Sequence, residues 1–422
     1  MITLRPHQKR IVDIMKNNTK GQVIVPTGGG KTMCMIHDLT RRLKTTEGGT
    51  LSWYPKTYVV VAPRILLANQ LCSEFLEQNL DGNYNQGVDV MHVHSGETHF
   101  YSTTKPEKIK TWVNNSTKHI IIFTTYHSLK RVVESDITID TAYFDEAHNS
   151  VTRSFSPPTE SVSYHSKSTY FFTATPRISY RHTRGMNNEK IYGNIICNIE
   201  AKELVNNGSI IPPTIVPFHT KENRDRKQAF DLDSQTVTDI LDTLDSDDAH
   251  KVLVSVPSSR MLGAMMSQTD LIYQLEKRGF EFLHITSKFG AYVNRQKVNR
   301  EKFFDTLTQY GRDKDKKFII FHYSILSEGI NVSGLTHCIL LRQLDVVSMA
   351  QTIGRVIRMD TEDSKDIREG VIKAGALEFY RKKTGYVTVP CHANYGQHII
   401  KRLQAVVDSI FINGLPPESL VV

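Results

Sequence analysis

Short runs of β-branched, aliphatic and aromatic residues at 23–25, 58–62, 119–123, 142–144 and 170–173 are too brief for helices and apolar throughout, which predicts buried strands. Between them the apolar period changes: Ile11, Ile14 and Met15, then Leu67, Leu71 and Phe75, fall three or four residues apart, as on one face of a helix. Strands alternating with amphipathic helices predict a parallel, doubly wound α/β sheet.

From Arg177 to about Asp248 the alternation gives way to a polar stretch containing Ile211-Pro212-Pro213 and the charged run from Lys221 to Lys227, so a domain boundary is expected there. The pattern restarts with strands expected at 251–256, 282–285, 317–322 and 337–341, and with a helix that Ser258 can cap and Gly279 can end. Ile399, Leu403, Val406, Val407 and Ile410 form an apolar stripe that stops at Gly414, predicting a last helix packed on the second domain. Two tandem α/β domains, 1–212 and 213–422, are therefore expected, with no fixed-period repeat beyond that duplication.

A chain of 422 residues can bury two or three cores, and 39% hydrophobic with 23% charged residues describes a folded, soluble protein. Lys+Arg of 52 against Asp+Glu of 44 leaves +8, which suits a polyanionic partner and equally a bland basic enzyme. Cys34, Cys72, Cys197, Cys338 and Cys391 are scattered and never spaced C-x-x-C, so neither a disulfide framework nor a zinc site is expected. That spacing, with no signal-like run at the N-terminus and no apolar stretch of about 18 residues, leads us to expect an intracellular, cytoplasmic protein with no membrane partner.

Chemistry enters at Pro26-Thr27-Gly28-Gly29-Gly30-Lys31-Thr32, which follows a predicted strand and opens a predicted helix. Glycines let backbone N–H groups curl round a phosphate at the positive end of the helix, Lys31 adds a point charge, and Thr32 can ligate Mg²⁺. Val25 occupies the first glycine position of the general pattern, so the match rests on this context. Asp145-Glu146-Ala147-His148 ends another predicted strand, at the sheet edge where ligands bind. Asp145 can hold Mg²⁺ there and Glu146 can orient or deprotonate a water that attacks a γ-phosphate, although two adjacent acids in isolation are usually just solvated. Arg355 and Arg358 can neutralise charge gathering on that phosphate, or stand one turn apart on a solvated helix.

In this order the phosphate loop and Asp145-Glu146-Ala147-His148 resemble motifs I and II of superfamily 2 helicases, of the DExH type with a DEAH motif II. Gln351-Thr352-Ile353-Gly354-Arg355-Val356-Ile357-Arg358 matches the Q-x-x-G-R-x-x-R form of motif VI in that family. The resemblance implies two RecA-like P-loop domains with ATP in the interdomain cleft, and Lys31, Asp145, Glu146, His148, Gln351, Arg355 and Arg358 as catalytic residues. It implies that Arg5 and Gln8 recognise adenine, with His7 where an aromatic is more usual, and that Gly329 and Asn331, from a motif V in which Asn331 replaces the frequent Asp, contact nucleotide. It also assigns strand contacts to Arg64, Thr124, Thr125, Tyr126, Ser258 and Thr286, and coupling of hydrolysis to the strand to Thr173 and Thr175.

The resemblance implies an ATP- and Mg²⁺-dependent motor on nucleic acid. Glu203 to Gly208, followed by Ile211-Pro212-Pro213, resembles the interdomain region of DNA-repair and phage branch-migration helicases. That favours branched or duplex DNA in recombination, repair or replication restart, with the chain expected to act as a monomer. RNA unwinding stays open, as does a nucleotide-gated clamp on duplex. Arg381-Lys382-Lys383, flanked by Tyr380 and Tyr386, can meet phosphates or form a solvated charged face.

Overall fold

The computed structural model describes residues 3–44, 55–79, 88–181, 183–225, 228–245, 249–286, 288–323, 332 and 334–420. The chain forms two compact units, Met1–Glu200 with Pro416–Val422, and Ala201–Leu415. Among the described residues no helix is long and apolar enough to cross a membrane. All five cysteines are buried and free.

In the first unit nine strands follow in chain order: β1 (Lys20–Ile24), β2 (Thr57–Ala62), β3 (Val88–Val93), β4 (Tyr101–Ser102), β5 (His119–Thr125), β6 (Thr141–Phe144), β7 (Ser168–Thr173), β8 (Arg177–Ile178) and β9 (Ile195–Asn198). Eight of them build one parallel sheet, ordered β4-β3-β5-β2-β6-β7-β1-β9. The strands β2, β6 and β7 are buried at every position, as a sheet covered on both faces requires. Of the helices α1 (Pro6–Lys16), α2 (Lys31–Lys44) and α3 (Ile65–Asn79), α1 buries Ile11 and Met15 and α3 buries Leu67, Leu71 and Phe75 of the expected stripes. Phe144 and Phe171 stack 4.8 Å apart in the core, and each buried ring of this size contributes about 1.5–3 kcal/mol through lost apolar surface.

The second unit adds β10 (Pro213–His219), β11 (Lys251–Ser255), β12 (Glu281–Thr286), β13 (Gly290–Val293), β14 (Gln296–Val298), β15 (Phe318–His322), β16 (His337–Leu340) and β17 (Gly385–Cys391). Its sheet runs β10-β17-β16-β11-β15-β12-β13-β14, parallel except for the antiparallel β12-β13-β14 end. Ser258 caps the helix Ser259–Gln268 by accepting from the Met261 N–H at 3.0 Å, while Gly279, at φ +72°, ends the following helix Leu271–Lys277. The final helix, Gln397–Val407, packs on β10, β17 and the helix Val346–Val356 of the same unit.

Three features differ from the sequence pattern. The stretch 177–248 holds β8, β9, β10 and the helix Ala229–Asp242; β9 and β10 lie at sheet edges, where β9 buries only Cys197 and β10 has only exposed and half-buried positions, so neither shows a continuous apolar run. Packing divides the chain at Glu200/Ala201, ahead of 212/213, because Ile211 N–H donates to the Ile357 carbonyl at 2.9 Å and Ile210 bridges to Arg358. A short strand, β18 (Ser419–Leu420), returns the chain end to the first unit by pairing with β8.

Candidate active site

At the end of β1, the Val25 N–H donates to the Thr173 carbonyl at 2.9 Å, so the loop leaves the sheet in register with β7. It turns through Gly29 N–H to the Pro26 carbonyl at 3.0 Å, past Thr27, and α2 begins at Lys31 with Thr32 in its first turn. Gly28 and Gly30 have φ of +90° and +78°, and a side chain at Gly30 would also strike the Gln8 amide. Glycine is needed there on both counts. The positive dipole end of α2 thus lies at the loop, an arrangement that attracts anions.

The helix α1 supports this loop from behind. His7 is fully buried with its Nε2 2.8 Å from the Gly29 carbonyl, and the Gln8 amide nitrogen lies 3.5 Å from the carbonyls of Gly29 and Gly30. Gln8 Oε1 accepts from the Arg5 N–H at 3.0 Å. Both ends of the Gln8 amide therefore face protein backbone. His7 is a loop-holding residue that the pattern at 4–8 marks only as an unusual substitution.

The strand β6 places Asp145 and Glu146, 5% and 8% exposed, opposite the loop. Lys31 Nζ meets Glu146 Oε1 at 2.9 Å, with both side chains about nine-tenths buried. Glu146 adopts φ +46°, a left-handed conformation that is uncommon outside glycine and marks a site where structure holds the backbone. Burial, and then the neighbouring Glu146 carboxylate, push the Asp145 carboxyl above the usual carboxylate range against the pull of Lys31. Two crowded carboxylates facing one ammonium would be stabilised by a further cation. His148, Thr173 and Thr175 are all buried: His148 Nδ1 lies 2.9 Å from Thr173 Oγ1, 3.2 Å from Thr175 Oγ1 and 3.5 Å from Glu146 Oε2. The two threonines expected to couple are thus in hydrogen-bond reach of the acidic motif.

Several of the residues expected to contact a strand turn their side chains to the protein's own backbone. Thr124, Thr125 and Tyr126 are buried, with Thr124 Oγ1 donating to the Val93 carbonyl at 2.9 Å and the Tyr126 hydroxyl donating to the Asp145 carbonyl at 2.8 Å. Thr286 is buried and its Oγ1 accepts from Phe289 N–H, while Ser258 is the helix cap described above. Strand ends must satisfy their own backbone polar groups, and these hydroxyls do so. Arg64, just ahead of α3, is exposed.

In the second unit, Asp345 caps the helix Val346–Val356, on which Gln351 and Arg355 are buried. The helix ends at Val356, so Arg358 is not a turn above Arg355 on one solvated face; it lies past the C-cap, in the bridge to Ile210. His322, at the end of β15, is pushed down to about 3 by burial and then by the cations Arg355 and Arg342. Gly329 and Asn331 fall outside the described residues. In the 381–383 cluster Arg381 and Lys383 are exposed, with Arg381 paired to Asp363 and Asp366 at 2.9 and 2.7 Å, while the Lys382 ammonium turns inward and donates to the carbonyls of Leu335 and Arg358 at 2.6 and 2.9 Å.

Two units built on mainly parallel sheets, one with a phosphate loop facing an acidic pair, form a RecA-like construction suited to binding a nucleoside triphosphate. Comparison with known families agrees: residues 1–178 match the Type III restriction enzyme res subunit, and residues 235–360 match the helicase conserved C-terminal domain. The two matches follow in chain order, the first on the unit that carries the phosphate loop and the second on the unit that carries the helix Val346–Val356. No curated protein matches it. Similar solved structures include the ATP-dependent Type ISP restriction-modification enzyme LlaBIII bound to DNA, at 15% identity and TM-score 0.69, covering 100% of this chain and 31% of that one. Mss116p bound to ssRNA and AMP-PNP gives 14% identity, TM-score 0.63 and coverage of 99% and 74%. S. cerevisiae Dbp5 bound to RNA and ADP BeF3 gives 15%, 0.59 and coverage of 99% and 89%. The chain spans about a third of the length of the restriction-modification enzymes it matches.

Proposed function

We propose that the chain is the motor of an ATP-driven DNA helicase or translocase that unwinds or branch-migrates DNA in recombination, repair or replication restart, in the manner of phage-encoded cytoplasmic helicases. The match of residues 1–178 to a restriction-enzyme motor subunit, over the segment that sets Lys31 against Glu146, carries this reading. The Type ISP neighbours bound to DNA or to a DNA substrate mimic support it. The RNA-bound Mss116p and Dbp5 favour RNA unwinding as the second reading.

On this proposal the glycine loop and Thr27 wrap the phosphates, and Lys31 exchanges Glu146 for the β- and γ-phosphate oxygens. The released Glu146 orients the attacking water and draws off its proton as the terminal phosphate separates from ADP. Thr32 and Asp145 would hold Mg²⁺, which neutralises phosphate charge; one hydroxyl and one carboxylate, completed by phosphate and water, suit that ion. Arg355 on the helix Val346–Val356 and Arg358 past its end stabilise the charge that builds on the γ-phosphate, with Gln351 one turn before Arg355 on that helix. His148, Thr173 and Thr175 relay the state of the acidic motif, and Arg5 and Gln8 border the base.

The test is steady-state ATP hydrolysis without nucleic acid and with single-stranded DNA, duplex DNA, a four-way DNA junction and RNA, with Glu146→Gln as the blank. Greatest stimulation by branched DNA supports the proposal. Stimulation by RNA alone replaces it with the second reading.

A further inference from the structure

Glu146 stands in a left-handed conformation at φ +46°, between two peptide groups whose carbonyls are both held by hydrogen bonds. The carbonyl of Asp145, ahead of Glu146, accepts the Tyr126 hydroxyl at 2.8 Å. The carbonyl of Glu146 itself accepts both the N–H and the side-chain amide of Asn149, each at 3.0 Å. A left-handed glutamate persists only where its surroundings over-determine it, and these contacts do so. Tyr126 cannot swing away, because its ring is 1% exposed, stacks on Phe155 with centroids 5.7 Å apart and lies 6.1 Å from the Phe144 ring.

We propose that Tyr126 and Asn149 are positioning residues for ATP hydrolysis, holding the two peptide planes that flank Glu146 so that its carboxylate stays aimed at the phosphate loop. The inference rests on the proposed role of Glu146. It also gives the Thr125–Tyr126 corner a function other than strand contact: Tyr126 joins the end of β5 to the acidic motif. If either grip is lost, the backbone at Glu146 can relax toward ordinary φ values and rotate the carboxylate off line. Substrate binding, which belongs to the loop and α2, is then left in place.

The experiment uses the full chain with Tyr126→Phe and Asn149→Ala, measuring kcat and KM for ATP under the best-stimulating nucleic acid, binding of a fluorescent ATP analogue, and thermal melting. The expected result is a kcat lowered about tenfold or more in each variant, with KM and analogue binding within about twofold of wild type. A merely structural role would move melting, KM and binding together. A folded Tyr126→Phe chain with kcat within about twofold of wild type overturns the proposal. If Tyr126→Phe does not fold, the half-buried Asn149 decides by the same criterion, since its removal leaves the core intact. Glu146→Gln measured in parallel separates the two ideas: if it still turns over at the wild-type rate, the role of Glu146 fails, whereas an inactive Glu146→Gln beside a fully active Tyr126→Phe defeats only the positioning proposal.

Discussion

The Lys31 ammonium and the Glu146 carboxylate neutralise each other at 2.9 Å in a nearly closed setting, so each holds the other in waiting. Lys31→Ala should remove most ATP binding: the phosphates lose their point charge and meet a Glu146 carboxylate with its lysine gone. Equilibrium titration with a fluorescent ATP analogue should show affinity reduced by at least ~100-fold, about 2.7 kcal/mol, a scale in keeping with a buried charge contact. Arg358 calls for the opposite pattern. Its backbone is fixed by the bridge to Ile210 and by Lys382, so Arg358→Ala deletes the guanidinium without freeing the segment. Analogue binding should survive while turnover slows at least ~10³-fold. Equal turnover in Arg358→Ala and wild type would remove this residue from the transition-state machinery.

At the scale of elements, the phosphate loop is only as steady as α2, and α2 is anchored by one buried acid. Asp38, with no exposure, accepts from Arg41 and Arg42 of its own helix at 2.6 and 2.7 Å and from Tyr143 on β6 at 2.7 Å. Arg42 reaches on to the Tyr170 hydroxyl on β7 at 2.6 Å, and that hydroxyl donates to carbonyls at the end of α1. Asp38→Ala leaves Arg42 and Tyr143 without their shared acceptor, which should cost about 3–5 kcal/mol. Urea unfolding should show the loss in the first unit's transition while the second unit unfolds as before. A midpoint unchanged for both would mean the network contributes nothing net. The strands that frame the site, β1, β2, β5, β6 and β7, were legible as apolar runs because a parallel sheet buries both their faces. Strands β3 and β10 were not, since Val88–Val93 mixes acid and histidine with valine and Pro213–His219 is half exposed. The loop and acidic motif were legible from residue type and spacing together with the predicted strands that lead into them. His7, Tyr126 and Lys382 were not readable as supports, because a hydrogen bond to a distant carbonyl leaves no local pattern.

For the whole molecule, the question is what holds a nucleic acid when the hydroxyls expected to do so face inward. With Thr124, Thr125, Tyr126 and Thr286 buried, phosphate contact falls to cations and backbone amides, and the chain carries +8 with Arg64 exposed ahead of α3. Binding by cations releases counterions, so log affinity for duplex should fall linearly with log salt, by about 0.9 for each phosphate neutralised. Arg64→Ala should then weaken binding to unrelated sequences alike and lower the magnitude of that slope by about 1. Fluorescence anisotropy on two duplexes of different sequence, across a salt series, reads both quantities at once. A slope unchanged in Arg64→Ala would place the strand away from Arg64. A flat response in wild type would contradict backbone tracking, since a motor that steps along any sequence must hold what every sequence shares, the charged phosphates.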